Sequence, residues 1–484
     1  MRPRLTLLLA SGLMLTGCSG GEPAPTPAPA PASAPALAES TEESAYDVAL
    51  SEPVEDRVYP EVGDPGVDAL HYDLDLTWDP PNSTLTGAET LTFRSTEDDD
   101  TFQLDLAPAL EVSSVVLGGE PVAFTQEGKD LVVTAEVATD ERYVVEIDYA
   151  GVPQPVDAPT SRADLPALGW TTTPAGDVWT MQEPFGAYSW YAVNDQPSDK
   201  ALYDFTLRAP GDRVGIANGE LASRETVGEQ TITEWHLTEP AASYLVTVAF
   251  GDYVVAEEES ASGVPVSIWL PREEAAREPE LRRTTVESLD WAEEVLGPYP
   301  FDSLGFLFVD STSGMETQTM VTLGLTDYAT SQPVLVHEAV HQWWGNQVTP
   351  RDWRDLWMNE GMTMYLQAMW EAENAGLSLG NRIAEWAADG ERMRAEAGPP
   401  AAYDAQAFAE GNVYYLPAVM WHEVRGLVGD ETFFRLVREW PASRDNGHSD
   451  YDDLTTWWEA ESGVELTAVF RRHLLGERQP RSTP

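Results

Sequence analysis

His337 and His341 lie four positions apart, with Glu338 between them. On a helix, positions i and i+4 share a face, so both imidazoles can reach one ion. A glutamate beside such a pair can act on a water held near that ion, the His-Glu-x-x-His arrangement of zinc proteases. Glu360 follows His341 after eighteen intervening residues (342–359), inside an Asn-Glu-Gly triplet. Two imidazoles and a carboxylate form a three-ligand set with a fourth position open, which is how catalytic zinc is held. The chemistry implied is metal-assisted hydrolysis, with one zinc ion per chain and Glu338 as general base. A lone histidine is more often a hydrogen-bonded core residue than a ligand, and His71, His236, His422, His448 and His473 are read that way or as solvated.

These residues need a helix over about 333–345 to carry the pair. The apolar spacing predicts further helices over 357–375, 378–396, 412–428, 430–440 and 451–474. Upstream, 273–296 reads as a helix stopped by Gly297-Pro298. Residues 264–269 and 304–311 read as strands, with the loop Ser313–Met320 after them. This sets a mainly helical catalytic domain over 256–476, followed by a short tail at 477–484. Before it, apolar residues alternate, as at Tyr72, Leu74, Leu76 and Trp78. Period two recurs with Gly-Gly and Pro punctuation, which predicts an all-β, mostly antiparallel domain over 59–255. The fold class is therefore α+β and multidomain.

With 484 residues, of which 42% are hydrophobic, the chain can bury a large core in two or three domains. The 82 acids outnumber 28 bases, for a formal charge of -54. Such a surface repels phosphate backbones and excludes a nucleic-acid partner; it stays strongly hydrated, as in a saline habitat. Cys18 is the only cysteine, so no disulfide forms within the chain. Arg2 and Arg4 precede an apolar run from Leu5 to Leu15 that is too short to span a membrane, which marks residues 1–17 as an export signal. Leu15-Thr16-Gly17-Cys18 resembles the lipobox of bacterial lipoproteins. That resemblance implies cleavage before Cys18, its lipidation, and an extracytoplasmic protein lipid-anchored to the bacterial cell membrane. The plainer alternative is a secretory signal with an incidental cysteine. Residues 18–58, rich in Pro, Ala and acid, read as a disordered tether.

The stretch HEAVHQWWGNQVTPRDWRDLWMNEG (337–361) resembles the aminopeptidase N family of zinc metallopeptidases, gluzincins with this ligand spacing. The resemblance covers roughly residues 60–475. It implies an antiparallel β-rich N-terminal domain followed by a thermolysin-like, mainly helical zinc domain, with the metal between them. Three more stretches carry it. Ser313-Gly314-Met315-Glu316-Thr317 resembles the family's Gly-Ala-Met-Glu-Asn loop, which implies that Met315 and Glu316 meet the substrate and that Glu316 binds its α-ammonium. Met181-Gln182-Glu183-Pro184 resembles the Gln-x-Glu-Pro segment, which implies Glu183 as the second ammonium ligand, with Gln182 beside it at the substrate. Val413-Tyr414-Tyr415, with His422 and Arg425 after it, resembles the helix of the transition-state tyrosine. That role falls to Tyr414, with Tyr415 as the competing assignment. Departures from the family pattern stand at Thr317, at Leu416-Pro417, and at Gln367, where relatives often carry an acid.

The activity implied is removal of N-terminal residues from peptides with a free N-terminus. A thermolysin-like endopeptidase and a non-catalytic, peptide-binding surface lipoprotein are the alternatives. Many relatives add a helical C-terminal domain that closes the cleft. This chain reaches Pro484 without it, the pattern of a short form with a more open cleft that accepts longer peptides.

Overall fold

The computed structural model describes residues 43–476. The signal segment, Cys18, most of the expected tether and the 477–484 tail lie outside the described residues.

The alternating stretch around Tyr72 becomes the strand Val67–Asp79, with Tyr72, Leu74, Leu76 and Trp78 buried on one face. It lies within an eight-stranded sheet, pairing antiparallel with Thr84–Ser95 and parallel with Lys200–Pro210. The parallel pair departs from an antiparallel plan. Its two strands are far apart in sequence, so the chain has room for the long crossover that parallel pairing requires.

Two strands that the sequence pattern missed matter most for function. Ala167–Thr172 and Val178–Met181 form an antiparallel hairpin, with Gly169 opposite Met181. Val178–Met181 is buried at every position, so no period-two signal marks it. The hairpin delivers the chain to Glu183, at the junction with the catalytic half.

The segment 43–58, expected within the tether, is built into the body. It opens with a 3-10 helix, Glu43–Ala49, and Ala49, Ser51 and Asp56 are buried. Ser51 N donates to Asp68 Oδ1 at 3.0 Å, and Trp353 N donates to Asp56 Oδ2 at 2.7 Å. These polar anchors leave no mark in composition, which is why composition alone made it look free. The boundary placed at 255 falls inside the strand Tyr253–Glu259. That strand pairs with Pro265–Pro271, which continues in parallel to Leu304–Val309 and Met320–Gly324.

The helices form close to where the spacing puts them, with two differences. The histidine helix spans Gln332–His341 and stops short of 345. Gly345 there takes φ +130°, and a Cβ on it would stand 3.2 Å from the Asn359 side chain. The single helix expected over 451–474 is two, Tyr451–Ser462 and Thr467–Leu474, broken at Gly463 with φ +67°. The glutamate helix Trp357–Asn374 crosses the tyrosine helix Gly411–Val428 at Gly361, where a Cβ would come within 2.2 Å of Pro417 Cβ. Gly361 thus brings Glu360 close to the tyrosine helix.

Candidate active site

The helix Gln332–His341 is buried along most of its length, from Val334 to His341. Burial on all sides marks a core helix, so its polar residues can only face a built site. His337 Nε2 and His341 Nε2 lie 3.1 Å apart. Glu360 Oε2, from the first turn of its own helix, faces them at 3.3 and 3.5 Å without a well-aligned hydrogen bond. The remote ring nitrogens face carbonyl oxygens: His337 Nδ1 is 3.1 Å from Gln367 Oε1, and His341 Nδ1 is 3.0 Å from Trp344 O. Both Nδ1 atoms therefore donate, which turns two Nε2 lone pairs and a carboxylate onto one point. Lone pairs gathered at that distance repel one another unless a cation sits among them. The N,N,O donor set fits zinc. Gln367, where relatives often carry an acid, is itself oriented: its Nε2 donates to Glu371 Oε1 at 3.1 Å, and Arg382 Nη2 holds the other oxygen at 3.1 Å.

Burial pushes Glu360 up, but His341 and His337 outweigh it and hold the carboxyl at about 2. Glu338 shares the pocket. Burial pushes it up to about 8, against the opposing pull of His341, and the Glu316 charge adds to the rise.

Glu183 and Glu316 approach from opposite domains. One carboxylate oxygen from each lies within 4.8 Å of the other and of Glu360. Among the described residues, neither Oε1 has a hydrogen-bond partner, and both are buried. Burial raises both acids, and repulsion from Glu316 raises Glu183 further. Two buried carboxylates, each with an oxygen that accepts no hydrogen bond, form a site for a positive charge.

The loop carrying Glu316 is held firmly despite its altered sequence. Asn346 Nδ2 and Gln342 Nε2 donate to Glu316 O at 2.7 and 3.2 Å. Thr317, in place of the family's Asn, bonds to Met320 O and lies 3.0 Å from Thr322 Oγ1. Met315 lines the cleft from a short edge strand that pairs with Thr322. Gln182 does not reach the cleft. Its amide donates to Ser243 O and Val246 O at 2.9 and 2.6 Å, and its oxygen accepts from Trp190 Nε1 at 3.0 Å. It braces the β-rich half, and Met181 lines the cleft instead.

The Tyr414 ring lies 6.3 Å from the His337 ring, centre to centre. Tyr415 also lines the cleft, but its ring stacks on Trp386 at 5.0 Å. Of the two tyrosines, Tyr414 is therefore the one set against a metal-facing imidazole. Burial pushes its phenol well above the usual tyrosine range. Sequence reasoning missed Arg162, whose Nη1 donates to Tyr414 Oη at 3.1 Å. No motif marks it, and no spacing in the sequence could have found it. Together these residues line a cavity of about 320 Å³ between the domains.

A two-domain scaffold thus carries a buried His-His-Glu cluster with an adjacent glutamate, the residue set of a zinc-peptidase site. The peptidase family M1 domain matches residues 282–473, and the peptidase M1 N-terminal domain matches 68–245. The chain belongs to peptidase family M1. It is 31% identical to leucine aminopeptidase 2 of Chaetomium globosum over 215 residues, covering 42% of this chain and 34% of that protein. It is 26% identical to aminopeptidase N of Streptomyces lividans over 435 residues, covering 83% of this chain and 49% of that protein. The chain thus spans half or less of these two curated relatives. Its fold is similar to that of the M1 zinc metallopeptidase from Deinococcus radiodurans, with a TM-score of 0.77 to a point variant bound to a Tyr-Ser-Ala substrate. That match has 24% identity and covers 88% of this chain and 98% of that one.

Proposed function

We propose that this protein is a zinc-dependent aminopeptidase that removes N-terminal residues from peptides. The observation that carries the reading is the pair of buried carboxylates beside the metal cluster, Glu183 and Glu316, whose Oε1 atoms accept no hydrogen bond from the described residues. A free α-ammonium can donate a hydrogen bond to each of them, and an internal peptide bond offers no such charge. Zinc held by His337, His341 and Glu360 would polarise the scissile carbonyl and bring the pKa of a water down to about 7. Glu338 takes the proton of the attacking water and passes it to the leaving amine. The Tyr414 hydroxyl donates to the developing oxyanion. Glu183 and Glu316 fix the substrate so that only its first peptide bond meets Glu338 and Tyr414, which is catalysis by positioning. Hydrolysis of a panel of aminoacyl-fluorophores, with and without chelator, tests the reading. Glu338→Gln should retain stoichiometric zinc and lose about 10²–10⁴-fold in kcat. Wild-type turnover in that variant removes the mechanism.

We further infer that the protein is exported and lipid-anchored through Cys18. The support is the basic start, the apolar run and Leu15-Thr16-Gly17-Cys18. Radiolabelled palmitate should enter the wild-type protein and not Cys18→Ala; an unlabelled wild-type protein ends the idea.

A further inference from the structure

Arg162 enters the cleft from the β-rich half, ahead of the hairpin that begins at Ala167. A guanidinium carries five N–H donors in a fixed plane and accepts nothing. Four hydrogen bonds commit it here. Nε and Nη2 donate to the two oxygens of Asp164 at 3.2 and 2.6 Å. Nη1 donates to Ala409 O and to Tyr414 Oη, both at 3.1 Å. Its carbon also stands 5.9 Å from the centre of the Tyr414 ring. Ala409 takes φ +53° in the turn that launches the tyrosine helix at Gly411. One planar group, locked by Asp164, therefore grips both the phenol and the turn before it.

Two consequences follow from this count. With four donors used, Arg162 is not a free anchor for a substrate carboxylate. And because Arg162 cannot accept, the Tyr414 proton cannot point back at it; the phenol oxygen takes a hydrogen bond on that side and keeps its own proton for another direction. The ring lies alongside His337, so that direction is the cleft. We infer that Arg162 is a positioning residue for Tyr414, holding the hydroxyl so that its proton faces the oxyanion formed during peptide hydrolysis. The inference rests on the aminopeptidase reading for the identity of that oxyanion.

The test is a double-mutant cycle in the zinc-loaded full chain, with Arg162→Met, Tyr414→Phe and the pair. Two quantities are measured: kcat and KM on an aminoacyl-fluorophore, and calorimetric affinity for a tetrahedral phosphinic dipeptide and for the free product amino acid. Arg162→Met should lower both kcat and phosphinate affinity by about 10–100-fold, with KM and amino-acid affinity held. In the Tyr414→Phe background it should lower neither. Arg162→Lys keeps one donor and should recover part of the loss, which guards against a folding defect. Equal losses in both backgrounds would mean that Arg162 merely holds the cleft together, and no loss from Arg162→Met in the otherwise wild-type protein is equally fatal. A wild-type protein that binds the phosphinate but turns nothing over defeats the aminopeptidase reading, while the phosphinate cycle still decides the role of Arg162. A wild-type protein that binds neither ligand overturns both.

Discussion

Replacing Glu316 with Gln removes one of the two charges expected to hold a substrate's α-ammonium while keeping the shape of the loop. That loop is held through its backbone, by Asn346 and Gln342 on Glu316 O, so the side chain can change without releasing it. A hydrogen bond to a charged group contributes about 1.5–3 kcal/mol, and about 1.4 kcal/mol is tenfold. Loss of one such bond predicts a fall in kcat/KM of about 10–100-fold on substrates with a free amine. The free protein should lose no stability, because the substitution removes one of two like charges buried within 4.8 Å of each other. The assay pairs an alanyl-fluorophore with its desamino analogue. The wild-type preference for the amine should shrink in Glu316→Gln, with the desamino rate unchanged. Zinc content is measured alongside, since Glu316 Oε1 lies 3.9 Å from His341 Nδ1. Wild-type kcat/KM, or an equal loss on both substrates, would refute the argument.

Other perturbations probe the supports of the site. Gln367→Ala strips His337 Nδ1 of its acceptor and should weaken zinc binding about 10–100-fold in a chelator competition; unchanged affinity would make that contact incidental. Gly361→Ala forces a methyl against Pro417 and should lower stability by about 1–3 kcal/mol in chemical denaturation, whereas a neutral result would mean that the helices separate easily. Lys200 is buried at the domain junction, where Nζ donates to Asn346 O at 2.8 Å, and burial lowers its amine to about 7. The unfolded chain holds that proton up to about 10.4. Between those values the unfolded state binds more protons, so the contribution of Lys200 to stability rises with pH. Denaturation of wild type against Lys200→Met between pH 7 and 9 should show wild type gaining relative to the variant; a pH-independent difference contradicts the shift.

The metal cluster was legible because its key spacing is local. Residues four apart on one helix meet whatever the rest of the chain does, and a buried helix explains why His337, Glu338 and His341 are there at all. Glu183 was legible only through a motif, and the same motif misled at its neighbour. Along extended backbone, successive side chains point opposite ways. Met181 and Glu183 therefore line the cleft, while Gln182 turns into the β-rich half and bonds to Ser243 O and Val246 O. The hairpin before it escaped notice because a strand buried on both faces has no alternation. Arg162 lay beyond sequence reasoning for a different reason. Its partners, Tyr414 and Ala409, come from the other domain, and only the packed structure brings them together. Asp56 and Asp68 likewise held segment 43–58 through hydrogen bonds that composition does not record.

The central claim is that a free N-terminus, read by Glu183 and Glu316, selects the bond that is cut. Its most direct test is mass-spectrometric analysis of one peptide, free or Nα-acetylated, incubated with zinc-loaded and with chelated protein. Stepwise loss of N-terminal residues from the free peptide alone, and only with zinc, is the predicted result. Cleavage of the acetylated peptide, or internal fragments from either, would contradict it.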